Sequence, residues 1–295
     1  MINGKLPRPS SKNKLIRVGH SPDPDDAFMF YALAKKKIPM RGFDVEHVIE
    51  DIESLNQRAL RGELEVTAVS CHAYAYLADR YRVMRSGASV GDQYGPILVA
   101  RSDRTGELPY DPTALRGKKI AMPGNLTTAY LVLRLFEKNF EAVFVPFDRI
   151  FSAVKEGAVD LGLVIHEGQI TFSEEGLINV LDLGKWWWQR TKLPLPLGID
   201  IIRRDLGEET IRSFAALFNE SIRYALDHRD EALDYALRFG RGISSKLGDR
   251  FVGMYVNDYT LDLGQKGMAG FERLLSEGYQ AGLLPKIIVP EFVSA

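Results

Sequence analysis

The sequence predicts an α/β protein with two lobes that are joined by two strand crossovers. Short β-rich runs alternate with helical patterns along the first two thirds of the chain, which is typical of parallel sheets with helices on their faces. Two similar apolar segments, residues 95–103 and 198–205, both end in Arg-X-Asp. A self-contained βαβαβ stretch lies between these two segments.

A chain that leaves one α/β unit on a strand, builds a second unit and returns on a matching strand has the arrangement of the class II periplasmic-binding-protein fold. We therefore expect a large lobe from residues 15–101 and 201–295 and a small lobe from residues 102–200. Residues 1–14 are rich in Pro, Ser and Lys and predict a disordered leader. A single continuous sheet with a long insertion is the alternative that the pattern leaves open.

Hydrophobic periodicity predicts the individual elements. The first helix carries apolar residues at 28, 29, 32 and 33, which fall on one helical face. The strands are expected at residues 15–18, 43–48, 65–69, 95–101, 118–122, 142–146 and 161–165. The helices are expected at residues 26–36, 52–61, 71–81, 128–139 and 149–156, with almost wholly helical chain at 208–238 and 245–282.

Composition excludes several classes of protein. The 295 residues are 45% apolar and 26% charged, the mixture of a globular protein with material for a core. Lys and Arg number 38 against 39 Asp and Glu, so the formal charge is −1. This balance argues against a nucleic-acid-binding protein with a wholly basic surface, because phosphate contacts need a surplus of cations.

The single cysteine, Cys71, excludes an intramolecular disulfide and any zinc or iron–sulfur site built from several cysteines. No run approaches 18 apolar residues, so we expect no membrane insertion. Residues 1–14 contain no apolar segment of the kind that secretory signals carry, so we expect a cytoplasmic protein.

Three strand–helix junctions carry side chains that suit an anion site, because α/β sheets bind ligands at the carboxyl ends of their strands. The first is residues 20–26, where we expect Asp23 to cap a helix and Ser21 and Asp26 to face the ligand. The second is residues 68–71, around Ser70, and the third is residues 123–129, where Thr127 and Thr128 open a helix. Free N–H groups at a helix start bind carboxylates or phosphates. Simple helix capping is the alternative at each junction.

His166 closes the predicted strand 161–165 and is a candidate general base, because a free imidazole titrates near neutrality. A hydrogen-bonded core histidine is the alternative. The acidic residues Asp23, Asp25 and Asp26 lack the spacing of a calcium loop, so we expect no metal. The three adjacent tryptophans 186–188 cannot all face one way, so we expect some in the core and leave open whether one lines the cleft. Pro194 and Leu195 begin an apolar corner that we expect to line it.

Several motifs in this order resemble one enzyme family over residues 16–292. The sequence is similar to the 1,4-dihydroxy-6-naphthoate synthases of the MqnA/MqnD family, which acts in menaquinone biosynthesis by the futalosine pathway. The motifs are Ser-Pro-Asp-Pro-Asp-Asp at 21–26, Phe-Met-Phe-Tyr-Ala-Leu at 28–33, Glu-Asp-Ile-Glu-Ser-Leu-Asn at 50–56, Arg-Ser-Gly at 85–87, Thr-Thr-Ala-Tyr at 127–130, Ile-His-Glu at 165–167, Leu-Pro-Leu-Pro-Leu-Gly at 193–198, Tyr-Val-Asn at 255–257 and Leu-Asp-Leu-Gly at 261–264.

The resemblance implies a two-lobed lyase that cleaves cyclic dehypoxanthinyl futalosine to 1,4-dihydroxy-6-naphthoate without a metal or organic cofactor. It implies that His166 accepts the proton. It also implies that the substrate, a small-molecule carboxylate, contacts two groups of residues, Ala68, Val69 and Ser70 on one side and Thr127, Thr128 and Ala129 on the other.

The chain departs from the family pattern at four positions. Asp23, Asp25 and Ala27 stand where Cys, Asn and Thr are usual, and Ala68 stands where a lysine is frequent. These departures make the expected cleft more negative. A non-catalytic binding protein for a small carboxylate and a chorismate-dehydratase-like enzyme are the alternative functions, and the sequence indicates no oligomeric state.

Overall fold

The computed structural model describes residues 13–103, 111–239 and 244–295, where twelve strands form two separate sheets. Most of the predicted leader, residues 1–12, lies outside the described residues, and β1 begins at Lys14. The strands are β1 (Lys14–His20), β2 (Phe43–Ile49), β3 (Val66–Ser70), β4 (Tyr81–Met84), β5 (Ser89–Gly91), β6 (Ile97–Arg101), β7 (Lys119–Met122), β8 (Glu141–Phe144), β9 (Leu161–Val164), β10 (Leu177–Asp182), β11 (Leu195–Arg203) and β12 (Phe292–Val293).

Thirteen α-helices accompany these strands in the described part of the chain. They are α1 (Pro24–Met29), α2 (Tyr31–Ala34), α3 (Ile52–Arg61), α4 (Cys71–Tyr74), α5 (Thr128–Phe136), α6 (Ile150–Lys155), α7 (Gly168–Thr171), α8 (Leu183–Thr191), α9 (Glu208–Asp227), α10 (Arg229–Ala236), α11 (Ser245–Tyr255), α12 (Asp258–Leu261) and α13 (Gly264–Gln280).

The larger sheet has the strand order β12-β4-β11-β3-β1-β2, and β5 also pairs with β11. The smaller sheet has the order β10-β6-β9-β7-β8. Neighbours within each βαβ unit are parallel, such as β1 with β3 and β7 with β9. The crossover strands β6 and β11 are antiparallel to their neighbours β9 and β3, because each enters its sheet from the other lobe. The prediction of an α/β chain with two crossovers is confirmed, although its sheets are mixed rather than purely parallel.

The chain passes between the sheets at different points from those expected. β6 pairs inside the smaller sheet, and β11 pairs inside the larger one. The first passage therefore lies before residue 97 rather than after residue 101, and the second lies before residue 195 rather than after residue 200. An apolar run in the sequence predicts a buried strand, but it does not show which sheet contains the strand. The hydrophobic pattern of a strand is the same whichever strands it pairs with.

The two passages touch each other backbone to backbone at Gly95 and Gly184. A Cβ atom added at Gly184 would stand 2.0 Å from the carbonyl carbon and oxygen of Tyr94 and 2.4 Å from the nitrogen of Gly95. A Cβ atom at Gly95 would lie 3.0 Å from the Cα and nitrogen of Gly184. Only glycine allows this separation, so the pair fixes how closely the two crossovers approach.

Several predicted helices are shorter than expected or are divided. The helix predicted at 26–36 breaks at Phe30, whose ring stacks between His20 and Phe218. The helix predicted at 71–81 ends at Tyr74, since Tyr81 begins β4. The long predicted helix at 208–238 breaks at His228. The helical pattern is continuous at each break, so periodicity alone does not reveal the interruption.

One apolar cluster extends through both lobes. It contains the buried side chains of Tyr81 on β4, Leu98 on β6, Leu131 on α5, Trp187 on α8 and Phe271 on α13. A second cluster packs α1 and α2 against α9, α10 and α11. Because the first cluster is shared, the two lobes bury apolar surface against each other as well as within themselves.

The three tryptophans all lie on α8, outside the cleft. Trp187 is fully buried and its indole Nε1 donates a hydrogen bond to the carbonyl of Pro194 (3.1 Å). Trp186 packs edge-on against Phe136, and the Lys192 ammonium lies 4.2 Å from the ring centre of Trp188. No helix in the described ranges has the length and apolar character that crossing a membrane requires.

The glycine contact at the crossovers yields a stability prediction. We expect Gly184→Ala to lower the free energy of unfolding by about 1–3 kcal/mol or more, because the new methyl group meets backbone atoms that cannot rotate away. Chemical denaturation monitored by circular dichroism measures this change.

Gly253→Ala is the matched control. Gly253 is exposed on α11, and a Cβ atom there would meet only the end of Arg229 at 3.7 Å. Since alanine is the better helix former by about 1 kcal/mol, this variant should be as stable as the parent chain or more stable. Equal stability of both variants and the parent would contradict a tight crossover.

Candidate active site

A cavity lies between the two sheets, at the carboxyl ends of strands from both lobes. Ser21 follows β1, Ser70 ends β3, and His166 follows β9 shortly after its last residue. Thr127 stands at the start of α5, after β7. This is the edge where open α/β sheets bind ligands.

The structure brings most of the predicted site residues together. The predicted residues that line the cavity are Ser21, Asp26, Ala68, Ser70, Thr127, Thr128, Ala129 and His166.

Three predicted residues do not line this cavity. Val69 is fully buried in the core, because side chains alternate along β3 and it points away from the face of Ala68 and Ser70. Leu195 is also a core residue. Pro194 contacts Trp187 through its carbonyl oxygen, and the later residues Leu197 and Gly198 reach the cavity instead.

The predicted junctions at residues 68–71 and 123–129 both lie at the cavity. The backbone N–H of His72 on α4 donates to Thr128 Oγ1 (3.3 Å), and Thr128 Oγ1 donates to the carbonyl of Leu197. Thr127 caps α5 by accepting from the N–H of Tyr130 (3.2 Å). Thr127 Oγ1 also donates to the carbonyl of Gly124 (3.0 Å), so the start of α5 offers a ligand its backbone N–H groups rather than the two hydroxyl groups.

Ser70 does not have the helix-capping role that was the alternative for its junction. Its backbone N–H donates to Asn56 Oδ1 (2.9 Å), and Asn56 Nδ2 lies 3.2 Å from Ser70 Oγ. Ser70 makes no side-chain cap to α4. Its hydroxyl is fixed in the cavity wall by a buried amide that the sequence analysis did not identify.

Asp23 and His166 form an ion pair across the cavity. His166 Nδ1 lies 3.0 Å from Asp23 Oδ2, and Ser21 Oγ donates to the same oxygen (2.7 Å). Asp23 precedes α1 in the large lobe, whereas His166 follows β9 in the small lobe. The pair therefore joins the two lobes directly.

The prediction that the Asp23 side chain caps α1 is wrong. It makes no cap hydrogen bond to the helix. Asp26 instead turns back and accepts from the N–H of Ser21 (2.8 Å), while Asp23 turns to the imidazole of the other lobe. A charged partner 143 positions along the chain competes successfully with the local N–H groups, and local sequence does not reveal it.

The backbone of His166 is left-handed, with φ +55°. This conformation is uncommon for residues other than glycine and is held here by neighbouring contacts. The N–H of Gln169 donates to the carbonyl of His166 (3.1 Å). The bend turns the imidazole out of the line of β9 and toward Asp23.

The ion pair sets the protonation of the imidazole. Burial alone would lower the pKa of His166, but the charge and hydrogen bond of Asp23 outweigh burial and raise the pKa to about 9. Since Nδ1 faces Asp23, Nε2 is the nitrogen left to exchange a proton with a ligand.

Three further carboxyl groups are buried nearby. Burial and the neighbouring Asp26 raise the pKa of Asp25 to about 8. Burial also raises the pKa of Asp26 to about 6, against the opposing hydrogen bond from Ser21. Asp200 on β11 is 1% exposed, and burial raises its pKa well above the ordinary value.

Gln169 and Tyr255 close the site and were not predicted. The Tyr255 hydroxyl lies 2.8 Å from the amide of Gln169 and joins α11 of the large lobe to α7 of the small lobe. With its nitrogen toward the carbonyl of Gly95 (2.6 Å), the Gln169 amide turns its oxygen toward the N–H of His166 (3.3 Å). The position of Gln169 three residues after His166 is the one local signal that could have suggested it.

The other histidines lie outside the cavity lining. Burial lowers the pKa of His20 to about 3 and that of His72 to about 4, so both are neutral at physiological pH. Within the described ranges, no three His, Cys, Asp or Glu side chains converge to hold a metal ion. Among the described residues that line the cavity, His166 is the one side chain that can be positively charged.

Solved structures of other proteins have the same fold. A crystal structure of a protein from Archaeoglobus fulgidus superposes with a TM-score of 0.86 at 49% identity, covering 91% of this chain and 98% of that one. The alkanesulfonate-binding protein SsuA of Xanthomonas axonopodis superposes with a TM-score of 0.70 at 13% identity, covering 97% and 100%. The second likeness concerns the fold alone, and it confirms the predicted periplasmic-binding-protein-like fold.

Comparison of sequences identifies the family. A family model described as "Menaquinone biosynthesis" matches residues 16–280. A 1,4-dihydroxy-6-naphthoate synthase of Thermus thermophilus is 43% identical over 94% of this chain and 99% of its own length. One of Streptomyces coelicolor is 35% identical over 92% and 95%. The chain therefore belongs to the menaquinone biosynthesis family.

Proposed function

We propose that this chain is a carbon–carbon lyase that converts cyclic dehypoxanthinyl futalosine to 1,4-dihydroxy-6-naphthoate. Two relatives that match almost the full chain carry the name of this synthase, which supports the proposal. The observation that carries the chemistry is the Asp23–His166 pair in the cavity between the lobes.

We assign the role of general base to His166. Its Nδ1 is hydrogen-bonded to Asp23, and this contact holds the ring in one orientation. The Asp23 carboxylate also stabilises the imidazolium that forms when the ring accepts a proton. Nε2 would take the proton from the bound substrate, and the electron pair that remains on the substrate would start the cleavage. The raised pKa of His166 makes its neutral form a strong base but also a scarce one at neutral pH.

The substrate carboxylate is proposed to lie at the start of α5. The first backbone N–H groups of α5 point to this end, and the helix has nine residues whose peptide dipoles favour an anion there. The hydroxyl groups of Thr127 and Thr128 donate to the carbonyls of Gly124 and Leu197 and hold the turn in place. Apolar groups such as Ile165, Leu197 and Ile199 line the same cavity and suit an aromatic ring system.

A non-catalytic binding protein for a small carboxylate remains the second candidate, because the fold is shared with an alkanesulfonate-binding protein. A binding protein would hold its ligand unchanged. A chorismate-dehydratase-like enzyme would instead consume chorismate. Incubation of the purified chain with cyclic dehypoxanthinyl futalosine and, separately, with chorismate distinguishes the three functions by the product that forms.

We expect His166→Ala to reduce kcat for naphthoate formation by about 10²–10⁴-fold, the usual contribution of a positioned acid–base group. Ligand affinity should change little in comparison, whereas the thermal midpoint should fall, because the buried Asp23 carboxylate loses its charged partner. Steady-state kinetics, calorimetric titration with the product and thermal denaturation measure the three quantities.

His228→Ala is the control, because His228 lies on the surface between α9 and α10 and stacks on Tyr224. It should retain the parent activity. Loss of binding or folding in His166→Ala in proportion to its loss of turnover would make His166 a structural residue, and normal turnover would place the base elsewhere.

The Asp23 contact predicts the pH dependence. A base whose pKa is raised to about 9 is active only where it has lost its proton, so kcat/KM should rise with pH on the acid side of that value. Asp23→Asn removes the charge that raises the pKa, and the rise should then move to lower pH by more than one unit. The measurement is kcat/KM from pH 6 to 10.

Asp79→Asn provides the comparison, since Asp79 is exposed, pairs with Lys286 and does not line the cavity. Its profile should coincide with that of the parent. An unshifted profile in Asp23→Asn would show that the Asp23 carboxylate does not control the catalytic base.

A further inference from the structure

The cavity contains more carboxyl groups than its positive charge can balance. Asp23, Asp25 and Asp26 line it, and Asp200 is buried close enough to interact with Asp25 and Asp26. His166 is the one possible cation among the described lining residues, and it already pairs with Asp23. Because isolated buried charges are costly, some of these carboxyl groups must carry protons.

Hydrogen bonds indicate which carboxyl groups are ionised. Asp23 contacts His166 and accepts from the hydroxyl of Ser21. Asp26 accepts from the backbone N–H of Ser21 at 2.8 Å. These partners stabilise the negative forms of Asp23 and Asp26.

Asp25 and Asp200 have fewer hydrogen-bond donors that would stabilise a negative charge. Asp25 is 7% exposed and accepts from the neutral hydroxyl of Ser89 at 3.2 Å, with some help from the N–H of Asp26. Asp200 is 1% exposed, and its Oδ1 has no hydrogen-bond partner within the described residues. A negative charge on Asp200 would have no donor at Oδ1 and would be repelled by the neighbouring carboxylates. A proton on the carboxyl group removes that charge. Asp25 and Asp200 are therefore the groups that hold protons.

Only one of these two groups opens onto the ligand space in the described structure, since Asp25 lines the cavity and Asp200 does not. We propose that Asp25 is a further substrate-contacting residue, whose protonated carboxyl group donates a hydrogen bond to a neutral oxygen atom of the bound ligand. The inference rests on the proposed function only in placing the ligand in this cavity.

A protonated Asp25 would also fix the orientation of the ligand. A carboxyl O–H group donates to carbonyl, hydroxyl or ether oxygens, whereas the ionised neighbours Asp23 and Asp26 repel an anionic group. The anionic end of the ligand would therefore lie toward Thr127 and Thr128, and an uncharged oxygen would lie at Asp25. Asp25 makes the hydrogen bond only while it keeps its proton.

Several charged and titratable groups surround Asp25 and define its pH response. They are Asp23 and Asp26 near the start of α1, His166 after β9, Asp200 on β11 and Tyr255 on α11. Four of the five are acidic, and each ionised one favours the protonated form of Asp25. With a pKa of about 8, Asp25 loses its proton at a lower pH than His166, whose pKa is about 9.

The test compares Asp25→Asn with Asp25→Ala. Asparagine keeps the shape and an N–H donor but has no proton to lose, whereas alanine has no donor. We expect the affinity for 1,4-dihydroxy-6-naphthoate at pH 7 to stay within about threefold in Asp25→Asn and to fall about tenfold in Asp25→Ala. The parent should lose affinity above about pH 8, where Asp25 ionises, whereas the affinity of Asp25→Asn should not change at that pH.

Infrared difference spectra provide a readout that needs no ligand. The parent minus Asp25→Asn spectrum at pH 7 should contain the carbonyl stretch of a protonated carboxyl group, and this band should disappear above about pH 8. Asp249→Asn, an exposed partner of Arg229, should show only a carboxylate difference.

Equal weakening by both substitutions at pH 7, or a carboxylate band from Asp25 at that pH, would overturn the proposal. If the parent chain binds no naphthoate at all, the proposed function fails, and the infrared band alone decides whether Asp25 is protonated. The two failures are therefore distinguishable.

Discussion

The close approach of Gly95 and Gly184 is the constraint on which the cleft depends. The chain leaves the larger sheet before β6 and returns to it before β11, and at both passages the backbones are in contact. Side chains at either position would separate the passages. Because the passages are fixed, the carboxyl ends of β1 and β3 face those of β7 and β9. The cavity is a consequence of this geometry.

Within the cleft, the Asp23–His166 pair links structure to chemistry. A buried ion pair contributes little net stability, because desolvation of both charges offsets their attraction. Its value lies in what it does to the imidazole, which it orients through Nδ1 and makes more basic. The left-handed backbone of His166 and the Gln169–Tyr255 contact hold the ring where the pair can form. The same contacts join the lobes, so ring position and lobe position are coupled.

The fold by itself does not determine the function, because proteins with different functions share it. An alkanesulfonate-binding protein has the same two-lobed arrangement at 13% identity, whereas the relatives at 43% and 35% are synthases. A two-lobed cleft suits any small ligand that must be enclosed. What distinguishes this cleft is its set of buried titratable groups in opposed environments, an imidazole beside a carboxylate and carboxyl groups without counter-ions.

The sequence alone determined the α/β class, the two crossovers and part of the cavity lining, because strand–helix alternation and junction residues such as Ser70 and Thr127 are local features. It did not determine the sheet to which β6 and β11 belong, since pairing depends on distant strands. It assigned Asp23 to a helix cap and missed Tyr255, because their partners His166 and Gln169 lie far away in the chain. Tertiary structure decided these contacts, since buried charges and hydroxyl groups are satisfied by whichever partner folding brings within reach.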